Sequence, residues 1–275
     1  MNYYYHQIDK LLFTDKKNIF EHFNNDFNNK LFNKSNLDLD KNRKNTIIIL
    51  CIFSSLIYSY NNLEIYKLFD QWNVKNPNII EIINSNTVYG TFLLEDSLII
   101  SFKGTSSFIN TLSDLDFSEI KESHNIPGNV HKGFNELILE NDLCDNILES
   151  ILNIMDSINV NTIYLTAHSL GSAIASIFYA FLKNKLTCKI KLVTFGCPKI
   201  GDRKFTNFIS NEENIRVVNG NDLVTKIPRS IYWLLSYTHP KQTLLKIGKK
   251  DTYLFSIDDH NLDNYYTAII NATNI

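Results

Sequence analysis

Residues 162–176 constrain this chain most: Thr-Ile-Tyr-Leu-Thr-Ala-His-Ser-Leu-Gly-Ser-Ala-Ile-Ala-Ser. A β-branched and apolar run reaches a corner at Ser169, and a small-residue, helix-forming run (Ala173, Ile174, Ala175, Ile177, Ala180, Phe181) leaves it. The pattern predicts a strand, a tight turn and a helix. A serine on such a corner is held in a strained backbone conformation, its hydroxyl over the carboxyl end of the sheet and the following amide aimed at the same space. Strand and helix almost touch there, so the neighbours must be small. Gly171 supplies one, and Ala167 stands where Gly is more usual. Ser169 therefore reads as a nucleophile; the competing explanation is a helix N-cap, a position that Ser favours.

The chain has 275 residues, 44% hydrophobic and 20% charged, enough for one α/β domain spanning 1–275 with a substantial core. Residues 1–45 are polar and rich in Asn and Lys, with Phe20, Phe23, Phe27 and Phe32 spaced for a helical N-terminal extension. A formal net charge of -2 gives no electrostatic case for nucleic acid. Cys51, Cys144, Cys188 and Cys197 are widely spaced and outside any metal-binding pattern, so free thiols, no metal and no cofactor are expected. The longest apolar run, 46–60, is shorter than the about 20 residues a bilayer requires and predicts a buried core helix, not a transmembrane segment. Met1-Asn2-Tyr3-Tyr4-Tyr5-His6 lacks a basic and an apolar leader region, from which an intracellular, cytoplasmic location is expected.

Along the chain, a second helical stretch covers 63–69 and a break is expected at Asn76-Pro77. Residues 87–94 and 97–102 read as a β-hairpin turning at Glu95-Asp96. Its second strand runs into Lys103-Gly104-Thr105-Ser106-Ser107, a loop able to present amides and hydroxyls above the sheet. Next, Phe108, Leu112 and Leu115 recur at helical spacing with Ile109 beside them, the pattern of a short amphipathic lid. A long helix is expected from 130 to about 158, then strands at 162–168, 189–196 and 215–218 separated by helices. Strands alternating with helices imply a mainly parallel sheet whose functional loops lie at the strands' carboxyl ends. Ser169, Thr105 and Asp222 all fall on such ends.

A seryl enzyme needs a base to take the hydroxyl proton and an acid to orient that base. On an α/β-hydrolase sheet the chain order is serine, acid, histidine. Of seven histidines, only His239 and His260 follow both Ser169 and a plausible acid. His260, in the polar loop Ser256-Ile257-Asp258-Asp259-His260-Asn261, is favoured over His239, which stands beside Pro240 and is followed by a strand-like run. Asp222 ends a strand, whereas Asp202 could equally cap the helix after Gly201. Asp258 and Asp259 read as turn residues.

Several motifs in order, Ser101-Phe102-Lys103-Gly104-Thr105, Val130-His131-Lys132-Gly133-Phe134, Ala167-His168-Ser169-Leu170-Gly171, Phe195-Gly196-Cys197-Pro198, Asn221-Asp222-Leu223 and Asp259-His260, resemble the class 3 (fungal-type) lipase family. The resemblance runs from about residue 87 to the C-terminus and leaves out 1–45. It implies an α/β-hydrolase fold, a central mostly parallel sheet flanked by helices with a short helical lid. It implies Ser169 as nucleophile, Asp222 as acid and His260 as base, with an oxyanion hole from Thr105 and Leu170 and a lid and substrate surface at Phe108, Ile109, Leu112 and Leu115. The implied activity is hydrolysis of carboxylic esters, acylglycerols or phospholipids, through an acyl-enzyme, with transient contact at a lipid surface. An acyltransferase using the same triad and a non-catalytic lipid-binding protein on the same fold are the alternatives. Lys103 stands where the family commonly has Arg, and Thr111 where well-known members carry a lid Trp.

Overall fold

The computed structural model describes residues 25–33, 37–82, 87–105, 119–120, 125–139, 142–228, 237–249, 256–273 and 275. They begin with helices α1 (Asp26–Asn33), α2 (Arg43–Leu56), extended by a 3-10 turn (Ile57–Ser59), and α3 (Glu64–Gln71). Strands β1 (Lys75–Ile82), β2 (Thr87–Leu94) and β3 (Ser97–Phe102) follow, then a short pair, β4 (Glu119–Ile120) and β5 (Val130–His131). Helices α4 (Lys132–Glu136) and α5 (Leu143–Ser157) lead to strand β6 (Thr162–His168) and helix α6 (Leu170–Lys183). The rest is β7 (Lys189–Phe195), α7 (Arg203–Phe208), β8 (Ile215–Asn219), β9 (Thr243–Ile247) and α8 (Leu262–Asn271).

Seven strands make one sheet in the order β1-β2-β3-β6-β7-β8-β9. β1, β2 and β3 pair antiparallel, and every pairing from β3 to β9 is parallel. Side chains alternate between the faces of a strand, and both faces here are covered. Ile100 and Phe102 point into the layer formed with α6, where Ala173, Ile177 and Phe178 are buried. Ile99, Tyr164 and Val193 point into the opposite layer, formed with α2 and α8. The register pairs Phe102 with Ala167 and His168 with Phe195, so the chain leaves β3, β6 and β7 side by side at one edge.

Helix α2 is the buried helix expected from the 46–60 run: residues 46–56 are all buried. Phe53 anchors it, its ring centroid 4.8 Å from that of Phe92 and 6.0 Å from that of Phe32 on α1. The described part of the N-terminal extension is tied to the body at several points. Tyr266 of α8 donates to Asn28 Oδ1 at 2.9 Å, and Lys44 Nζ donates to the Ile270 and Ala272 carbonyls at 2.7 and 2.6 Å. The buried ammonium of Lys191 on β7 meets Asp40 at 3.0 Å.

Two expectations change. The Asn76-Pro77 break falls inside β1, because β1 is an edge strand, where a proline's missing donor is tolerated, and because its register shifts between Lys75 and Asn78 with Asn76 at φ 49°. The long helix from 130 divides into α4 and α5, and Asp142, at φ 56°, takes a left-handed conformation that no continuous right-handed helix accommodates. The lid residues Phe108, Ile109, Leu112 and Leu115 lie outside the described residues, as does the extension before residue 25. Among the described residues no helix is long and apolar enough to cross a membrane.

Removing the Phe53 ring leaves a cavity between α1, α2 and the sheet. Phe53→Ala should lower stability by about 3–5 kcal/mol, measured as a drop in the denaturant midpoint at unchanged slope.

Candidate active site

Ser169 sits at the corner between β6 and α6 with φ 59° and ψ -130°, a region that non-glycine residues rarely occupy. Its backbone amide donates to the Phe195 carbonyl at 3.0 Å, which ties the corner to β7. Although Ser169 stands at the N-cap position, its side chain makes no capping bond. The hydroxyl is turned to His260 instead, 2.8 Å from Nε2. The capping explanation of this serine therefore falls away. The demand for small neighbours is met as the motif suggests: a Cβ on Gly171 would come within 2.4 Å of the Phe102 carbonyl oxygen.

His260 ends a 3-10 turn (Asp258–His260) just before α8. Its Nδ1 lies 2.9 Å from Asp222 Oδ2. Asp222 follows β8 and is fully buried. The same oxygen accepts from the Tyr265 hydroxyl at 2.5 Å, while Oδ1 accepts from the Val224 amide at 2.8 Å. Burial pushes the Asp222 carboxyl up, but the neighbouring His260, its hydrogen bond, the Tyr265 hydroxyl and the Val224 amide together hold it below its ordinary value. An ionised Asp222 can only accept, so Nδ1 of His260 carries the proton and Nε2 accepts from the Ser169 hydroxyl.

The loops carrying acid and base are stitched to each other as well. The Asn221 amide donates to Asp259 Oδ2 at 2.7 Å, and residues 221–223 and 256 exchange main-chain bonds, Ser256 N to Asn221 O at 3.0 Å and Leu223 N to Ser256 O at 3.1 Å. Gly196, directly after β7, has φ 61°, and a Cβ there would lie 2.8 Å from His260 Cε1 and 2.9 Å from Asp222 Oδ2. Both its conformation and the packing of the acid and base against it call for glycine.

The loop after β3 reaches the same place. Gly104 lies against the corner, close enough for a Cβ to stand 3.3 Å from Ser169 Cβ, and half-buried Thr105 comes next. Leu170 opens α6, where a first-turn amide has no acceptor within the helix. Ser169, Asp222 and His260 are thus brought together, with the 103–105 loop and the start of α6 beside them.

The other sequence candidates fall elsewhere. His239 Nε2 donates to the Thr225 carbonyl at 2.8 Å, and burial with nearby Arg216 lowers its pKa to about 3. Asp202 caps α7, accepting from the Phe205 amide at 2.8 Å. The four cysteines are free thiols; burial pushes Cys51, Cys144 and Cys197 up, away from thiolate chemistry. Tyr265 and Tyr58 escaped sequence reasoning. Tyr265 was one apolar-face residue of a helix, and Tyr58 lay in a greasy run; no local pattern marks a tyrosine whose hydroxyl bonds across the fold.

Residues 99–231 match the family model for lipase (class 3). Through that stretch the chain is similar to the class 3 lipases. Residues 1–45 lie outside the match. Over 158 residues, 55% of this chain and 46% of the relative, it is 26% identical to secreted mono- and diacylglycerol lipase 1 of Fusarium solani. Over 149 residues, 48% of this chain and 33% of the relative, it is 28% identical to phospholipase A(1) DAD1, chloroplastic, of Arabidopsis thaliana. The matched stretch thus spans less than half the length of these curated relatives. The fold is also that of the Rhizomucor miehei triacylglyceride lipase structure, at TM-score 0.67 and 19% identity, covering 80% of this chain and 93% of that one. The expected cytoplasmic location is corrected: the Fusarium relative and another from Malassezia restricta are named as secreted. The first six residues were too little from which to read a compartment.

Buried neutral histidines make the fold acid-sensitive. His239 takes up a proton near pH 6.5 when unfolded but only near 3 when folded, so the unfolded chain binds more protons between those values. Stability should fall as pH drops below about 6.5, by at most roughly 1.4 kcal/mol per pH unit for this group. In denaturant melts from pH 7.5 to 5, His239→Gln should give a flatter decline than the native chain.

Proposed function

We propose that this chain is a serine carboxylic-ester hydrolase, lipase-like, that cleaves acylglycerol or phospholipid esters through an acyl-enzyme. One observation carries the reading: Ser169 Oγ stands 2.8 Å from His260 Nε2 while Nδ1 of the same ring stands 2.9 Å from a buried Asp222. Such a relay has little structural use and direct chemical use. The names of relatives that are mono- and diacylglycerol lipase and phospholipase A(1) support the substrate class.

In this reading Ser169 Oγ attacks the ester carbonyl carbon and its proton passes to His260 Nε2. Asp222 steadies the imidazolium, with Tyr265 keeping the carboxylate in place. The negative oxygen of the tetrahedral intermediate is received by Thr105, through amide and hydroxyl, and by the Leu170 amide. Collapse breaks the bond to the alcohol, which takes the proton from His260. Water then attacks the acyl-enzyme, giving its proton to His260, and the carboxylic acid leaves as Ser169 is reprotonated. We assign transient contact with a lipid surface to the segment bearing Phe108, Ile109, Leu112 and Leu115, on the amphipathic spacing of those residues.

A fluorophosphonate tests the nucleophile without knowledge of the substrate: Ser169 oxygen bonds to phosphorus, fluoride leaves, and His260 takes the proton. Intact mass should show one adduct on the native chain and none on Ser169→Ala, with labelling of His260→Ala slowed to near background. A folded native chain that stays unlabelled, with and without detergent, contradicts the assignment.

Thr105→Ala should keep the fold, by circular dichroism and melting temperature, yet lower ester turnover by about 10²–10³-fold. Normal turnover would remove Thr105 from the oxyanion hole.

A further inference from the structure

Behind the triad, four groups from four separate segments form one hydrogen-bonded path. The His260 carbonyl oxygen can only accept, and His168 Nε2 lies 2.8 Å from it, so Nε2 carries the proton of that ring. His168 Nδ1 is then an acceptor, and the Tyr58 hydroxyl donates to it at 3.1 Å. The oxygen of Tyr58 accepts in turn from the Gly104 amide. Burial first, and the neighbouring His260 next, lower the pKa of His168 to about 3, so the ring stays neutral and the direction of the path is fixed. The fit is close as well as polar. A Cβ on Gly104 would fall 2.2 Å from the Tyr58 hydroxyl oxygen and 2.7 Å from the His168 carbonyl oxygen.

Both ends of this path lie outside the long strands and helices. Gly104 immediately precedes Thr105 on a loop beyond the end of β3, and His260 lies on a short 3-10 turn between longer elements. Tyr58 comes from the 3-10 turn (Ile57–Ser59) after α2, outside the family match, and neither Tyr58 nor His168 hydrogen-bonds to Ser169 Oγ or to the His260 ring in the triad.

We propose that Tyr58 and His168 are positioning residues that lock the oxyanion loop and the main chain of the catalytic base into one mutual placement. This rests on the ester-hydrolase reading. Reaction geometry is steep: a displacement of about 1 Å can slow a step by about 10²-fold. A partial loosening should therefore cost about 10-fold in rate without weakening substrate binding.

The test compares the native chain with Tyr58→Phe, Thr105→Ala, the Tyr58→Phe/Thr105→Ala pair, His168→Leu and His168→Gln. Its readouts are the second-order rate of fluorophosphonate labelling, and kcat and KM on a soluble p-nitrophenyl ester, with melting temperature as a check of folding. Tyr58→Phe should lower kcat and labelling by about 10-fold and leave KM within roughly twofold. Because both residues act through the same loop, the pair should lose less than the product of the single losses. His168→Leu removes both hydrogen bonds, whereas the amide of His168→Gln keeps one acceptor and one donor and should lose less. Native rates for Tyr58→Phe, or losses that multiply in the pair, overturn the positioning role. Should Tyr58→Phe fail to fold, equal losses for His168→Leu and His168→Gln overturn it. An inert native chain overturns the ester-hydrolase reading and this role with it; an active native chain indifferent to Tyr58 overturns only the role.

Discussion

Everything at the site depends on the backbone of Ser169 being held where an unconstrained residue would not go. At φ 59° and ψ -130° the serine carries strain of the order of 1–3 kcal/mol. The restraint comes from both sides: β6 pairs with β3 over 162–167 and with β7 over 162–168, and α6 starts at once against the end of β3. A sheet pinned on two sides and a helix with no spare room leave the corner no softer alternative. The same restraint turns the hydroxyl to His260 and starts α6 at the very next residue, so one local strain sets both the side chain and the opening of the helix.

Asp222 and His260 form a second preassembled unit. Asp222 and His260 ride on loops that are bonded to each other, and Gly196 lets both pack down against the end of β7. Buried charge is costly unless it is satisfied. Asp222 is satisfied three times over, by His260, Tyr265 and Val224, which is why the carboxylate survives with no exposure to water. Ser169 and the Asp222–His260 pair thus meet as two braced pieces.

Much of this was legible along the chain because it is local. β6, the Ser169 corner and α6 are contiguous, and their periods change where the structure changes. Chain order reduced the candidate bases to two histidines, and the polar loop at 256–261 favoured His260, which the structure sets 2.8 Å from Ser169 Oγ. What was hidden is nonlocal or depends on context. β1 absorbs Pro77 only because it lies at the sheet edge, and the break between α4 and α5 turns on one left-handed Asp142 in a sequence that otherwise reads as helix. Tyr58 and His168 bond across 110 positions, a distance over which single-sequence patterns carry no information. The compartment was misread for a different reason: a few N-terminal residues say nothing of the folded body, and names of fungal relatives spoke more directly.

Helix α8 has a place in time as well as in space. It carries Tyr265 to the acid, follows His260 by one residue, and closes over α2 and the earliest described segment through Tyr266 and Lys44. A ribosome delivers α1 before α8, so the sheet, the Ser169 corner and Asp222 emerge before His260 and Tyr265. During translation Ser169 therefore waits for its hydrogen-bond partner until His260 has emerged, and the helix that then brings Tyr265 to Asp222 also bonds to the earliest described segment.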